Sequence, residues 1–150
     1  MSDRSAASPP RVVAVEDNPG DVRLVEDGVA AAAAELDLQI IKSGRAAIER
    51  LTSLDAGDPR EHPDLILLDL NLPGGSGFDV LRAVRTETDF RDVPVVVVSS
   101  SQNRDDITRV YELSGNAYVT KPADPDDYIE MIAAIVDFWI ESASRSAPHD

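Results

Sequence analysis

Leu65-Ile66-Leu67-Leu68-Asp69-Leu70-Asn71-Leu72-Pro73-Gly74 is the stretch from which the fold can be read. Four consecutive aliphatic residues leave no polar face, the pattern of a strand covered on both sides at the centre of a parallel sheet. The run stops at an acid, and Pro73-Gly74 turns the chain. Upstream lie two further apolar runs, Val12-Val13-Ala14-Val15 and Leu38-Gln39-Ile40-Ile41. Downstream lie Val93 to Val98, rich in β-branched residues, and the short Ala117-Tyr118-Val119. Five strands are expected.

The segments between them read as helices. Asn18-Pro19-Gly20-Asp21 opens the first, with Asn as cap, Pro at the first helical position and an acid at the third. Val22, Val25, Val29 and Leu36 follow at three-and-four spacing. Ala47, Ile48, Leu51 and Leu54 mark the second helix, before a polar loop from Asp55 to Pro63. Ser76 with Asp79 opens the third and Asn103 with Asp106 the fourth. Asp124-Pro125-Asp126-Asp127 starts the last, which should run to about Glu141. Strands alternating with helices predict an α/β fold with a doubly wound parallel sheet. Right-handed crossovers leave few topologies, of which the flavodoxin-like strand order 2-1-3-4-5 leads. One domain over residues 11–141 is expected, with tails at 1–10 and 142–150.

Composition narrows the function. The chain has 28 acidic and 14 basic residues and a net charge of -14. Such a field repels nucleic acid and anionic membranes, so neither is an expected partner. Of the basic residues only Lys42 and Lys121 are lysine, a balance similar to proteins of halophilic archaea. There is no cysteine, and the two histidines stand in a polar loop and at the C-terminus, which disfavours thiolate and histidine chemistry. No apolar run approaches the ~20 residues needed to span a bilayer, and Met1 to Pro10 lacks the apolar core of a signal peptide. A soluble, cytoplasmic protein is expected.

In a parallel sheet the strand C-termini share one edge, where ligands bind. This sequence places Glu16 and Asp17 after strand one, Asp69 after strand three, Ser99 at the end of strand four and Lys121 after strand five. Unpaired, three clustered carboxylates would repel one another, and a hard divalent cation such as Mg2+ resolves that repulsion.

Four segments, Val15-Glu16-Asp17-Asn18, Leu67 to Gly74, Val97-Val98-Ser99-Ser100 and Ala117-Tyr118-Val119-Thr120-Lys121-Pro122, resemble in order the signature blocks of response-regulator receiver domains. Asn18-Pro19-Gly20-Asp21 and Asp69-Leu70-Asn71-Leu72-Pro73-Gly74 look most like small regulators paired with phytochrome-type and related kinases. The resemblance implies that Asp69 accepts a phosphoryl group from a sensor histidine kinase, and that the protein catalyses only its own phosphotransfer and dephosphorylation. It implies Mg2+ (or Mn2+) bound by Asp17 and Asp69, by the Asn71 backbone carbonyl, and by Glu16 through water. Lys121 would pair with Asp69 and then with a phosphate oxygen, across a cis Lys121–Pro122 bond. Ser99 would hydrogen-bond the phosphoryl group, Tyr118 would change rotamer as the following loop moves, and Ser101 would tune hydrolysis.

No output domain is expected after Ile140, so the signal should leave through a surface to a downstream protein that the sequence does not identify. The last helix carries apolar residues on two faces. Ile129, Val136, Phe138, Trp139 and Ile140, with Tyr118, are the expected partner surface, used in a two-fold dimer through the fourth and fifth helices and the fifth strand. The loop Gly74-Gly75-Ser76-Gly77 departs from the family's usual pattern and is expected to be more flexible.

Three other readings compete. An aspartyl phosphatase typically has a second acid two residues after its nucleophile, where Asn71 stands here. A receiver fold used only for binding, without phosphorylation, fits poorly with the intact acid–acid–lysine set. A flavodoxin-like nucleotide binder lacks its phosphate-cradling loop, since the turn after strand one has a single glycine.

Overall fold

A computed structural model describes residues 9–54, 58–74 and 76–146, with backbone alone for 59 and 142–146. The proposed tail before residue 9 and Gly75 of the glycine-rich loop lie outside the described residues. Five strands, β1 (Arg11–Val15), β2 (Asp37–Ile41), β3 (Leu65–Leu68), β4 (Val95–Ser99) and β5 (Ala117–Thr120), alternate with five helices. The helices are α1 (Pro19–Ala31), α2 (Gly44–Thr52), α3 (Gly77–Glu87), α4 (Arg104–Glu112) and α5 (Pro125–Ser146). All strand pairings are parallel and the order is β2-β1-β3-β4-β5, as expected.

The helix starts follow the predicted caps. Asn18 Oδ1 accepts the Asp21 N–H at 3.0 Å, while α2, for which no cap was expected, starts at Ser43, whose Oγ accepts the Ala46 N–H at 3.0 Å. Ser76 and Asp79 form a reciprocal capping box. Asp124 Oδ1 accepts the N–H groups of Asp126 and Asp127 at 2.8 and 3.1 Å. Asn103 caps α4 through the Asp105 N–H at 2.8 Å, leaving Asp106 for another partner. Two boundaries moved. β4 begins at Val95 because Pro94 has no N–H for the ladder and serves through its carbonyl, which accepts from the Ile66 N–H at 2.9 Å. α5 continues past Glu141 to Ser146, so the expected tail is helical backbone over its first five residues.

Strand alternation divides the core in two. Val13, Val15, Ile66, Leu68, Val95 and Val97 face α2, α3 and α4. Val12, Ala14, Leu65, Leu67, Val96 and Val98 face α1 and α5. β3 is buried along its whole length, as its four aliphatic residues require. α1 and α5 pack closely over the second face because residue 28 is glycine. A Cβ there would lie 2.5 Å from the Ile132 Cβ.

The helices are held unequally. The Arg85 guanidinium, near the end of α3, donates to the carbonyls of Arg91 and Val93 at 2.8 and 2.7 Å. It also reaches the Ser114 carbonyl at 2.9 Å and Asn116 Oδ1 at 2.8 Å, tying the entries to β4 and β5 together. α4, by contrast, buries only Val110. A further attachment to a neighbouring helix is Arg109 lying over the Phe78 ring of α3 at 4.3 Å.

On α5 the inward stripe is Tyr128, Ile132, Val136 and Ile140, at four-residue spacing. Val136 and Ile140 were expected on a partner surface and are instead part of the chain's own core, because the sheet and α1 take up that stripe. Ile129 and Trp139 are half-buried, and Phe138 is 61% exposed with its ring edge-on to Trp139.

Candidate functional site: a carboxylate pocket closed by one lysine

The sheet places the acids side by side. Val15 is in register with Ile41 on one side and Leu68 on the other, so the residues that follow β1 and β3 leave the edge together. The Glu16 N–H donates to the Ile41 carbonyl at 2.9 Å and the Asp69 N–H to the Val15 carbonyl at 3.1 Å, which extends the ladder into the site. Glu16 and Asp69 are buried while Asp17 is exposed, and one carboxylate oxygen from each lies within 4.8 Å of the others.

Gly77 lets the next helix begin against this edge. Its N–H donates to the Leu70 carbonyl at 3.0 Å, and a Cβ there would stand 2.5 Å from the Asp69 carbonyl oxygen. The Asn71 N–H donates to Asp69 Oδ1 at 3.2 Å. The Asn71 contact with Asp69 is thus made by its main-chain N–H, whereas the expectation concerned its carbonyl.

Lys121 closes the pocket. Its N–H donates to the Ser99 carbonyl at 2.9 Å, so β5 delivers the side chain along the same edge. Nζ donates to Asp21 Oδ2 at 2.7 Å, to Glu16 Oε1 at 2.9 Å and to Asp69 Oδ2 at 3.3 Å. Burial works against its charge, but the hydrogen bonds it donates to Asp21 and Glu16 and the Asp69 charge outweigh that and hold the ammonium above the ordinary lysine range. Burial also pushes the Glu16 carboxyl up to about 7, with Lys121 opposing the shift and Asp69 adding to it. Lys121–Pro122 is not cis as expected, since no cis peptide bond occurs among the described residues. The trans form is the one an X–Pro bond intrinsically favours, and Lys121 reaches all three acids from it. Tyr128 and Ile132 of α5 line a small cavity beneath Glu16 and Asp69.

Ser99 is fully buried at the end of β4, and its Oγ accepts the Ser101 N–H at 3.1 Å. Every polar group of Ser101 is engaged in this loop. Its Oγ donates to Asp106 at 2.8 Å and accepts the Asn103 N–H at 3.2 Å, while its carbonyl accepts from the Tyr118 hydroxyl at 2.7 Å. Tyr118 is thus tied to the loop that follows Ser99. Its own N–H, on the open side of β5, is capped by the Tyr111 hydroxyl at 3.1 Å.

The expected set Glu16, Asp17, Asp69, Ser99 and Lys121 gathers at one edge. Asp21 was missed as a site residue. An acid at the third helical position reads as a capping group, and only the fold reveals that its carboxylate faces Lys121. The donor set fits a hard divalent cation: three carboxylates offer oxygen and nothing softer, and two of them, Glu16 and Asp69, are buried.

The comparisons with known proteins agree with this geometry. The family model described as the response regulator receiver domain matches residues 12–133. Response regulator Rcp1 of Synechocystis sp. is 38% identical over 148 residues, covering 98% of this chain and 99% of that protein. The crystal structure of the Mn2+-bound form of Rcp1 superposes with a TM-score of 0.80 at 36% identity, covering 89% of this chain and 96% of that one. The phosphorylated cyanobacterial phytochrome response regulator RcpA superposes with a TM-score of 0.81 at 34% identity, covering 89% and 95%. With fold, pocket and relatives in agreement across most of its length, this chain belongs to the response regulator receiver domain family of two-component signalling.

Proposed function

We propose that Asp69 is the phosphoacceptor, taking a phosphoryl group from a sensor histidine kinase in the presence of Mg2+ or Mn2+. The observation that carries this is how the two Asp69 oxygens are divided. Oδ1 is fixed by the Asn71 N–H, while Oδ2 faces the Lys121 ammonium within a trio of acids. An Asp69 oxygen forms the new bond to phosphorus as the P–N bond of the kinase phosphohistidine breaks, the electron pair leaving on the imidazole nitrogen. Asp17 and Asp69 would hold the cation with the Asn71 main chain, and Glu16 would act through water. The bound cation supplies charge neutralisation for the transferring group. Lys121 then pairs with a phosphoryl oxygen as a mobile point charge, and the Ser99 hydroxyl donates to another. Movement of Ser99 would pass through Ser101 to Tyr118 and to Asp106 at the start of α4.

The decisive experiment is intact mass after incubation with Mg2+ and acetyl phosphate. Wild type should gain one phosphoryl group and Asp69→Ala none. Equal labelling of both proteins would sink the assignment.

Output is proposed to run through the face of α4, β5 and α5, as a homodimer. The exposed Phe138 stacked edge-on against Trp139 favours this; Ile129 and Tyr118 are half-buried, and Val136 and Ile140 contribute only from within the core.

A further inference from the structure

Asp21 makes the shortest of the three contacts to Lys121, at 2.7 Å, yet it stands outside the trio of acids that could share a cation. Its availability has a local cause. In a capping box the acid at the third helical position reaches back to the cap residue's N–H, as Asp79 does for Ser76. At α1 that N–H belongs to Asn18 and is already taken by Glu16 Oε2 at 3.1 Å. The Asp21 backbone is pinned by Asn18 Oδ1, but its carboxylate is released from capping and turns to the ammonium.

We propose that Asp21 is a positioning residue: it holds the Lys121 ammonium back from Asp69 and so keeps an Asp69 oxygen available to the divalent cation. The distances follow that order, with Lys121 2.7 Å from Asp21 and 3.3 Å from Asp69. A lysine and a divalent cation compete for the same Asp69 oxygens, and like charges repel at such range. A fourth carboxylate, on a side of the ammonium that the cation does not need, lets both cations occupy one pocket. This role rests on the proposed use of Asp69 and a divalent cation, and it adds a residue that determines how well that cation binds.

The chain's two lysines make the test direct. In a Lys42→Arg background, which removes an exposed lysine, the one lysine side-chain ammonium signal in NMR is that of Lys121. In the metal-free protein this ammonium should correlate through its hydrogen bond with the Asp21 carboxyl carbon, a measurement that needs no change at Asp21. Asp21→Asn should shift the Lys121 signal and raise the Mg2+ dissociation constant, read by calorimetry, about tenfold. Asp21→Glu should restore most of both. Glu26→Gln, which removes an equal charge from the exposed face of the same helix, should change neither. The proposal is overturned if the Asp21 correlation is absent and Asp21→Asn leaves the signal and the Mg2+ affinity at wild-type values. It is equally overturned if Glu26→Gln weakens Mg2+ as much as Asp21→Asn, or if Asp21→Glu rescues nothing. Should wild type take no phosphoryl group from acetyl phosphate, the phosphoacceptor reading fails, while the NMR and calorimetry still decide the role of Asp21.

Discussion

Gly77 is the residue on which the geometry of Asp69 most directly depends, although it carries no functional group. Alanine there would press its Cβ onto the Asp69 carbonyl and the Leu70 Cα, both of them main-chain atoms with no rotamer to escape through. We expect Gly77→Ala to cost about 1–3 kcal/mol in urea denaturation, the range for forced overpacking, and to slow phosphorylation by acetyl phosphate. An unchanged urea midpoint with wild-type phosphorylation would show that α3 can retreat freely. Residue by residue, the parts of the site legible in the sequence were those at strand ends. Asp69, Ser99 and Lys121 each follow an apolar run, and one rule about parallel sheets gathers them. Asp21 and Tyr111 were not legible, because each gains its role from a partner about a hundred or seven residues away, across a packing contact that no local pattern encodes.

Arg85 shows the same division among the elements. Its position in the last turn of α3 reads as a helix-end cation, whereas its guanidinium actually joins α3 to the segments entering β4 and β5. Arg85→Met keeps the aliphatic stem and removes the donors, leaving three carbonyls and the Asn116 side chain to find water. Because much of this cluster is open to solvent, a loss of about 2 kcal/mol is expected, read as a lower urea midpoint with an unchanged slope. No change in midpoint would mean that water replaces the guanidinium at no cost. Helix starts were well predicted from Asn18, Ser76 and Asp124, since a cap is a local hydrogen bond. The inward stripe of α5 was not. Both of its faces are apolar, and only the approach of α1 at Gly28 decides that Val136 and Ile140 turn inward while Phe138 is left outside.

For the whole molecule, charge and the exposed aromatic pair pull in opposite directions. Two copies of a chain with net charge -14 repel, whereas an apolar patch at the end of α5 favours contact. Screening shortens from about 10 Å at 0.1 M salt to about 3 Å at 1 M, so sedimentation should show self-association rising with salt. Phe138→Asp should remain monomeric throughout. A wild-type monomer at high protein concentration and high salt, with and without acetyl phosphate, would remove the proposed dimer. Among the described residues no helix is long and apolar enough to cross a membrane.

The single buried side chain of α4 has a further consequence for how stability is distributed. This helix buries Val110 alone and is otherwise held by one cation–aromatic contact and single hydrogen bonds at Asp106 and Tyr111. It can detach by exposing one edge of the α2–α3–α4 core while the α1–α5 core stays closed. Its amides should therefore exchange with solvent deuterium by a partial opening that costs far less than global unfolding, while those of β1, β3 and β4 wait for the whole domain to come apart. The receiver thus has a hard interior with one loosely fastened panel. That panel is tied through Asp106, in its first turn, by one hydrogen bond to the loop that follows Ser99.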